Sequence, residues 1–230
     1  MRATSRRLYA LAASSVILVA VPSLATGQAI PGYPESILEF DPREVSRLPP
    51  YCIHTAHFRE NVPGGLDREK SQPWITTLGD VFQTLHHYCW ALMYLHRAKV
   101  LAQDERTRRW NFSQAIHDID YVLNYINAHG RHDFVLLPEI LTRKGEALVG
   151  LGRGPRALVE FERAIQLKPD YWPPYAQVSD YYKGIGEMSK AREALEAGLT
   201  HSPQANGLQR RLRELDAEIA KRGSKSTKPR

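Results

Sequence analysis

Two short stretches hold most of the side chains that could do chemistry in this chain. His86-His87-Tyr88-Cys89-Trp90 sets two imidazoles beside a thiol, and Cys52-Ile53-His54-Thr55-Ala56-His57 sets a thiol ahead of two more. Folded together, Cys52, Cys89, His54, His57, His86 and His87 could offer sulfur and nitrogen ligands to zinc or copper. The spacing argues against this use, because neither stretch has an established ligand pattern. His86 and His87, as neighbours on a helix, point about 100 degrees apart and do not turn easily to one ion. Cys52 and Cys89 are the chain's two cysteines, and an even number favours a disulfide in an exported protein. Two buried thiols or a redox pair are the alternatives. A bond would close a loop long enough to stabilise the fold by about 4 kcal/mol in the chain-entropy account.

Other reaction chemistry has little support. The chain has no Cys-x-x-Cys-His haem site, no glycine-rich phosphate loop and no Gly-x-Ser-x-Gly elbow. Asp118 and Asp120 point to different sides of a helix, and Val62-Pro63-Gly64-Gly65 reads as a turn. The expectation is a non-enzyme with no catalytic residues, no cofactor and no resident metal, with the Cys/His cluster as the competing metal-binding or redox reading.

Residues 1–29 read as a cleaved export signal. Arg2, Arg6 and Arg7 precede an apolar run from Leu8 to Leu24, and small residues allow cleavage after Ala25 or Ala29. Pro22 and the dilution by Ala and Ser make the run short for a membrane span. Adjacent Arg6 and Arg7 ahead of Leu8-Tyr9 also resemble a twin-arginine signal. The expected location is the periplasm or the outside of a bacterial cell, with no stable membrane span once the signal is removed.

The formal net charge of +6 is misleading, since three charges sit in the signal and five on Lys221, Arg222, Lys225, Lys228 and Arg230. Removing both sets leaves −2 for the middle of the chain. A nucleic-acid partner is therefore not expected. The end, 223–230, reads as a basic disordered tail.

From 30 to 73 the chain is punctuated by Pro31, Pro34, Pro42, Pro49, Pro50 and Pro63, which interrupt helices and central strands alike. This predicts an extended arm with one short helix from Pro42, capped by Asp41. From Trp74 the pattern becomes helical. Leu78, Val81, Phe82, Leu85, Cys89 and Leu92 recur at steps of three and four, and Ala115, Ile119, Val122 and Ile126 mark a second helix ending before Gly130.

An internal repeat follows. At a constant offset of 34 residues, Gly152 matches Gly186, Ala157 matches Ala191, Phe161 matches Leu195, Ala164 matches Gly198 and Pro169 matches Pro203. Small residues at Gly145, Ala157, Ala164, Ser179, Ala191 and Gly198 let paired helices approach. Larger ones at Leu141, Leu148, Phe161, Tyr175, Tyr182 and Leu195 fill the space between pairs.

The spacing and residue types resemble the tetratricopeptide repeat, a helix-turn-helix unit. The resemblance is close over 138–171 and 172–205, while 74–137 is similar to a divergent pair with about eight extra residues between its helices. Lys144 departs from the pattern by standing at a place that is usually apolar. Residues 206–222 read as a capping helix, with Leu208, Leu212, Leu215 and Ile219 on one side. The expected fold is all-α, an antiparallel helix-turn-helix superhelical stack with an irregular N-terminal arm.

The resemblance implies a concave groove that holds a peptide or partner helix, lined here by Glu139, Thr142, Glu146, Ala176, Asp180 and Lys183. Three acids in this set point to a basic or neutral partner segment. The expected function is an exported adaptor or scaffold that binds another protein of the cell envelope, in the setting of an assembly or export machine.

Overall fold

The computed structural model describes residues 40–226, with side chains through Arg222. The proposed signal at 1–29, the start of the arm and residues 227–230 lie outside the described residues.

The arm enters through helix α1, Pro42–Val45. Asp41 caps it by accepting from the Arg43 amide at 2.8 Å, and Pro42 at its first position brings a backbone angle already suited to a helix. A 3-10 turn, Pro50–His54, and the short helix α2, Phe58–Asn61, follow. Helix α3, Arg68–Leu78, begins earlier than the sequence pattern suggests and runs through Pro73. Asp67 caps it, and Glu69 and Pro73 both lie on its exposed side. The Glu69 carbonyl, which loses its helical donor at Pro73, is therefore open to solvent.

The apolar stripe from Leu78 onward is not one helix. Gly79, at φ 61°, ends α3, and a 3-10 turn, Gly79–Thr84, leads into α4, Leu85–His96. A π turn, Arg97–Leu101, closes α4, and α5, Glu105–Ala128, returns antiparallel to it under an Asp104 cap.

The repeated units form as the spacing predicts. Helices α6, Leu137–Gly150, and α7, Gly154–Leu167, make one antiparallel pair. Helices α8, Pro173–Gly184, and α9, Met188–His201, make the next. Gly152 at φ 75° and Gly186 at φ 85° supply the left-handed residue of the two matching turns. Helix α10, Asn206–Ser226, packs on α9 and buries Leu208 and Leu215, and it continues past the predicted end of the cap at 222. The described chain is thus an all-α, TPR-like stack in which each helix from α4 to α10 packs on its neighbours in sequence.

The packing explains the small residues, with one difference from the sequence reading. A Cβ on Gly145 would lie 2.2 Å from the Phe161 ring, so Phe161 fills the space inside the α6–α7 pair rather than between pairs. Gly198 serves both, since a Cβ there would lie 2.9 Å from Tyr175, which like Phe161 sits inside its own pair, and 2.6 Å from Leu208 of α10.

Between pairs, two junctions each receive one aromatic ring, but from opposite sides. At the first, the Phe112 ring of α5 lies over Gly150 of α6, 2.3 Å from where its Cβ would be. Phe112 stands to Ala115 as Gly154 stands to Ala157, so Gly154 of α7 is its counterpart. At the second junction the ring comes instead from Tyr181 of α8, whose counterpart one unit earlier is Ala147; a Cβ on Gly154 would lie 2.1 Å from it. The pairs Phe112 with Ala147 and Gly154 with Tyr181 exchange large for small while keeping the volume between helices filled.

Candidate functional site

The stretch that opens the sequence question lies where the arm meets α4. Cys52 and Cys89 are bonded, S–S 2.03 Å, and both are fully buried. The bond pins the Pro50–His54 turn to the middle of α4. His54 is buried and donates from Nδ1 to the Gly65 carbonyl at 3.0 Å, which holds the loop between α2 and α3.

The other three histidines form a row across the arm, α4 and α5. Ring centres are 5.1 Å apart for His57 and His86 and 4.3 Å for His86 and His87, and His87 stacks on Tyr121 at 3.8 Å. His87 Nδ1 donates to Asp118 Oδ1 at 2.7 Å, and His86 Nδ1 donates to the Gln83 carbonyl at 3.1 Å. Burial, followed by the charges of His87 and His57, pulls the His86 imidazole down to about 4. With both sulfurs in a bond and the histidine rings tilted against one another, His87 alone stacking on Tyr121, the row is built as packing. Among the described residues, no group of three or more His, Cys, Asp or Glu is placed to hold a metal ion.

The six residues predicted to line the groove have different surroundings. Thr142 is buried and donates to the Pro138 carbonyl at 2.7 Å, and Ala176 is buried in the α8–α9–α10 core. Glu139 accepts from the buried Tyr88 hydroxyl at 2.9 Å. Glu146 is buried and sits between Lys99 and Arg143, whose Nη1 donates to it at 2.9 Å. Asp180 accepts from Arg211 of the capping helix at 2.7 Å, and Lys183 pairs with Glu218 of the same helix at 2.7 Å. Burial pushes the Asp180 carboxyl up, against the opposing pull of Arg211. The acids that suggested a basic partner are thus each engaged by a donor of the protein's own.

A cavity of about 480 Å³ opens beside Glu139. Its walls are Arg47, Leu48 and Pro49 of the arm, Leu92, His96 and Lys99 from α4 and its π turn, and Glu139 and Arg143 of α6. The wall from the arm is held by a buried ion pair, in which Arg97 donates from Nε and Nη2 to the two Glu44 oxygens at 2.8 and 2.7 Å. No local pattern in the sequence identifies this pair, because Glu44 reads as an ordinary first-turn acid and Arg97 as a helix-end cation. Behind the cavity, the Tyr51 hydroxyl and Arg143 Nε are buried without a hydrogen-bond partner. Burial pushes the Tyr51 hydroxyl well above its ordinary value, and the Glu139 charge adds to this.

Lys144, the departure from the repeat pattern, joins three helices. Its ammonium reaches Asp120 of α5 at 2.9 Å and Glu160 of α7 at 2.8 Å. Burial pulls the group down, but the Glu160 and Asp120 carboxylates outweigh that and leave it raised.

Among the described residues, no helix is long and apolar enough to cross a membrane. No family model matches the chain, and no solved structure matches it. Over 69 residues, 30% of this chain, the sequence is 30% identical to the Hsp70-Hsp90 organizing protein of Triticum aestivum. That length is close to two of the 34-residue units, and it spans 12% of the wheat protein, so what this chain shares with that relative is a segment rather than a whole protein.

Proposed function

We propose that this chain is a non-enzymatic adaptor, exported to the bacterial envelope, that binds a segment of another protein along the inner face of its helical stack. The observation that carries this reading is the cavity bounded by the arm, α4 and α6. It lies on the first helices of successive pairs, and its arm wall is fixed by a disulfide and a buried ion pair. Rigid walls reduce the ordering cost of binding, which suits the capture of an extended segment. The similarity to an Hsp70-Hsp90 organizing protein supports a protein-binding role in general terms. The Arg-rich start and apolar run of residues 1–24 support export.

Photo-crosslinking tests the proposal. A crosslinking residue placed at Leu92 or Lys183 of the inner face should capture one or a few discrete proteins in intact cells, whereas one at exposed Val159 should not. Equal capture at all three positions, or none, would remove the groove reading. Fractionation of the same cells should find the protein outside the cytoplasm.

A further inference from the structure

Among the described residues, the inner cavity has a surplus of positive charge once the protein's own pairs are set aside. Glu44 and Arg97 cancel each other in a buried two-bond pair. Of the remaining charged groups at the cavity, Arg47, Lys99 and Arg143 are cationic, while Glu139 and Glu146 are anionic. Glu146 is shared by Lys99 and Arg143, so one carboxylate answers two cations. Arg47 is exposed and has no ion-pair partner among the described residues. Burial and the Arg47 charge together hold the His96 imidazole down, so His96 contributes little charge of its own near neutral pH.

The free hydrogen-bonding capacity has the same sign. Lys99 keeps donors beyond the one given to Glu146, and the Arg143 guanidinium gives Nη1 to Glu146; its Nε is buried, so a ligand would meet its outer nitrogens. Arg143 is 38% exposed at its side chain and Lys99 43%, so both can be reached from the cavity. Glu139 has the Tyr88 hydroxyl as donor, which reduces what it offers to a ligand. Guanidinium and ammonium groups with unused donors around an open cavity complement carboxylate oxygens.

We infer that the cavity between the arm, α4 and α6 receives acidic side chains, Asp or Glu, from an extended segment of a partner protein. The inference rests on the adaptor reading and names the chemistry of its partner. Leu48, Pro49 and Leu92 supply the apolar wall for the stem of such a side chain, with Arg47, Lys99 and Arg143 around its carboxylate. The arm is part of the site, since it contributes Arg47.

A random twelve-residue peptide library, displayed with its C-terminus fused to a phage coat protein so that no free terminal carboxylate is present, is selected on the immobilised protein with its disulfide intact. The expected result is enrichment of peptides carrying two or more Asp or Glu. A selected peptide, synthesised with an amidated C-terminus, should bind about two- to fivefold more weakly to Arg47→Ala. It should lose most of its binding to Arg47→Glu, with thermal midpoints unchanged because Arg47 is exposed. Binding should also weaken as salt is raised from 50 to 300 mM. Enrichment of basic or purely apolar peptides would overturn the acidic partner while leaving the groove reading intact. Acidic peptides whose binding is indifferent to Arg47→Glu would overturn this cavity as their site. A selection that enriches nothing would overturn this inference, and the crosslinking experiment would then decide the adaptor reading separately.

Discussion

Glu44 and Arg97 face each other across the junction of the arm and α4, two bonds at 2.8 and 2.7 Å, with both side chains almost wholly out of solvent. Fifty-three positions apart in sequence, they place the wall on which the inner cavity depends. Breaking such a pair from one side strands a charge, whereas replacing both partners with apolar groups does not. Arg97→Met, which leaves the buried Glu44 carboxylate without its cation, should therefore destabilise the protein by about 3 kcal/mol. The double change Glu44→Leu with Arg97→Met should recover much of that loss. Urea denaturation of wild type and the two variants measures both, and a double variant less stable than the single would refute this account of the pair.

The disulfide makes a separate prediction. Because both sulfurs are inaccessible, a thiol reagent should find no free thiol in the folded protein even with a mild reductant present, and should find two once denaturant is added. Cys52→Ser with Cys89→Ser should lower stability by about 2 to 4 kcal/mol. It should also expose the arm to protease before the repeats are cut.

Acid should weaken the fold through His86. Its folded value, about 4, lies below the ordinary imidazole value near 6.5, so the unfolded chain binds more protons between those limits. The contribution is fully present above pH 6.5 and is lost as pH falls toward 4. Discounted for the half-exposed position of the ring, it amounts to about 1 to 2 kcal/mol. Carboxylates titrate in part of the same window, so the difference between wild type and His86→Gln is the quantity to follow. Calorimetric curves that stay parallel from pH 7 to pH 4.5 would contradict the prediction.

The exchanged ring at the second junction can be moved. Gly154→Phe alone should be strongly destabilising because a Cβ at that position already meets Tyr181 at 2.1 Å. Tyr181→Ala alone should cost about 3 kcal/mol as a cavity. The double variant restores the arrangement seen with Phe112 and Ala147, and should be more stable than either single change in thermal unfolding.

Much of the fold was legible because it depends on local periodicity. The 34-residue offset placed α6 to α9, the turn glycines and the prolines that end α7 and α9, since these features act within a few residues of themselves. The arm boundary was misplaced for the opposite reason. The arm was expected to run to residue 73, but α3 passes through Pro73, where an exposed position lets a helix tolerate one missing donor. The Cys52–Cys89 bond was readable from the count of two cysteines together with the export expected from residues 1–29. The charge of the cavity was not readable, because it depends on pairings such as Lys99 with Glu146 and Arg97 with Glu44 that join residues 47 and 53 positions apart. Counted singly, Glu139, Glu146 and Asp180 make an acidic groove; each of them is met by a donor of the protein's own.

The alternation of rings at the two junctions also bears on how such a chain can grow. A ring supplied by the earlier helix at one junction and by the later helix at the next means that the surfaces of successive units are not interchangeable. Tandem duplication of 138–171 would bring the end of α6, which takes its ring from the helix before it, against the start of α7, which carries Gly154 and expects its ring from the helix after it. The new junction would contain neither Phe112 nor Tyr181, and so would be left with a void. Copy number in this protein is fixed by the order of its side chains, and a longer stack would have to acquire a new aromatic along with its new unit.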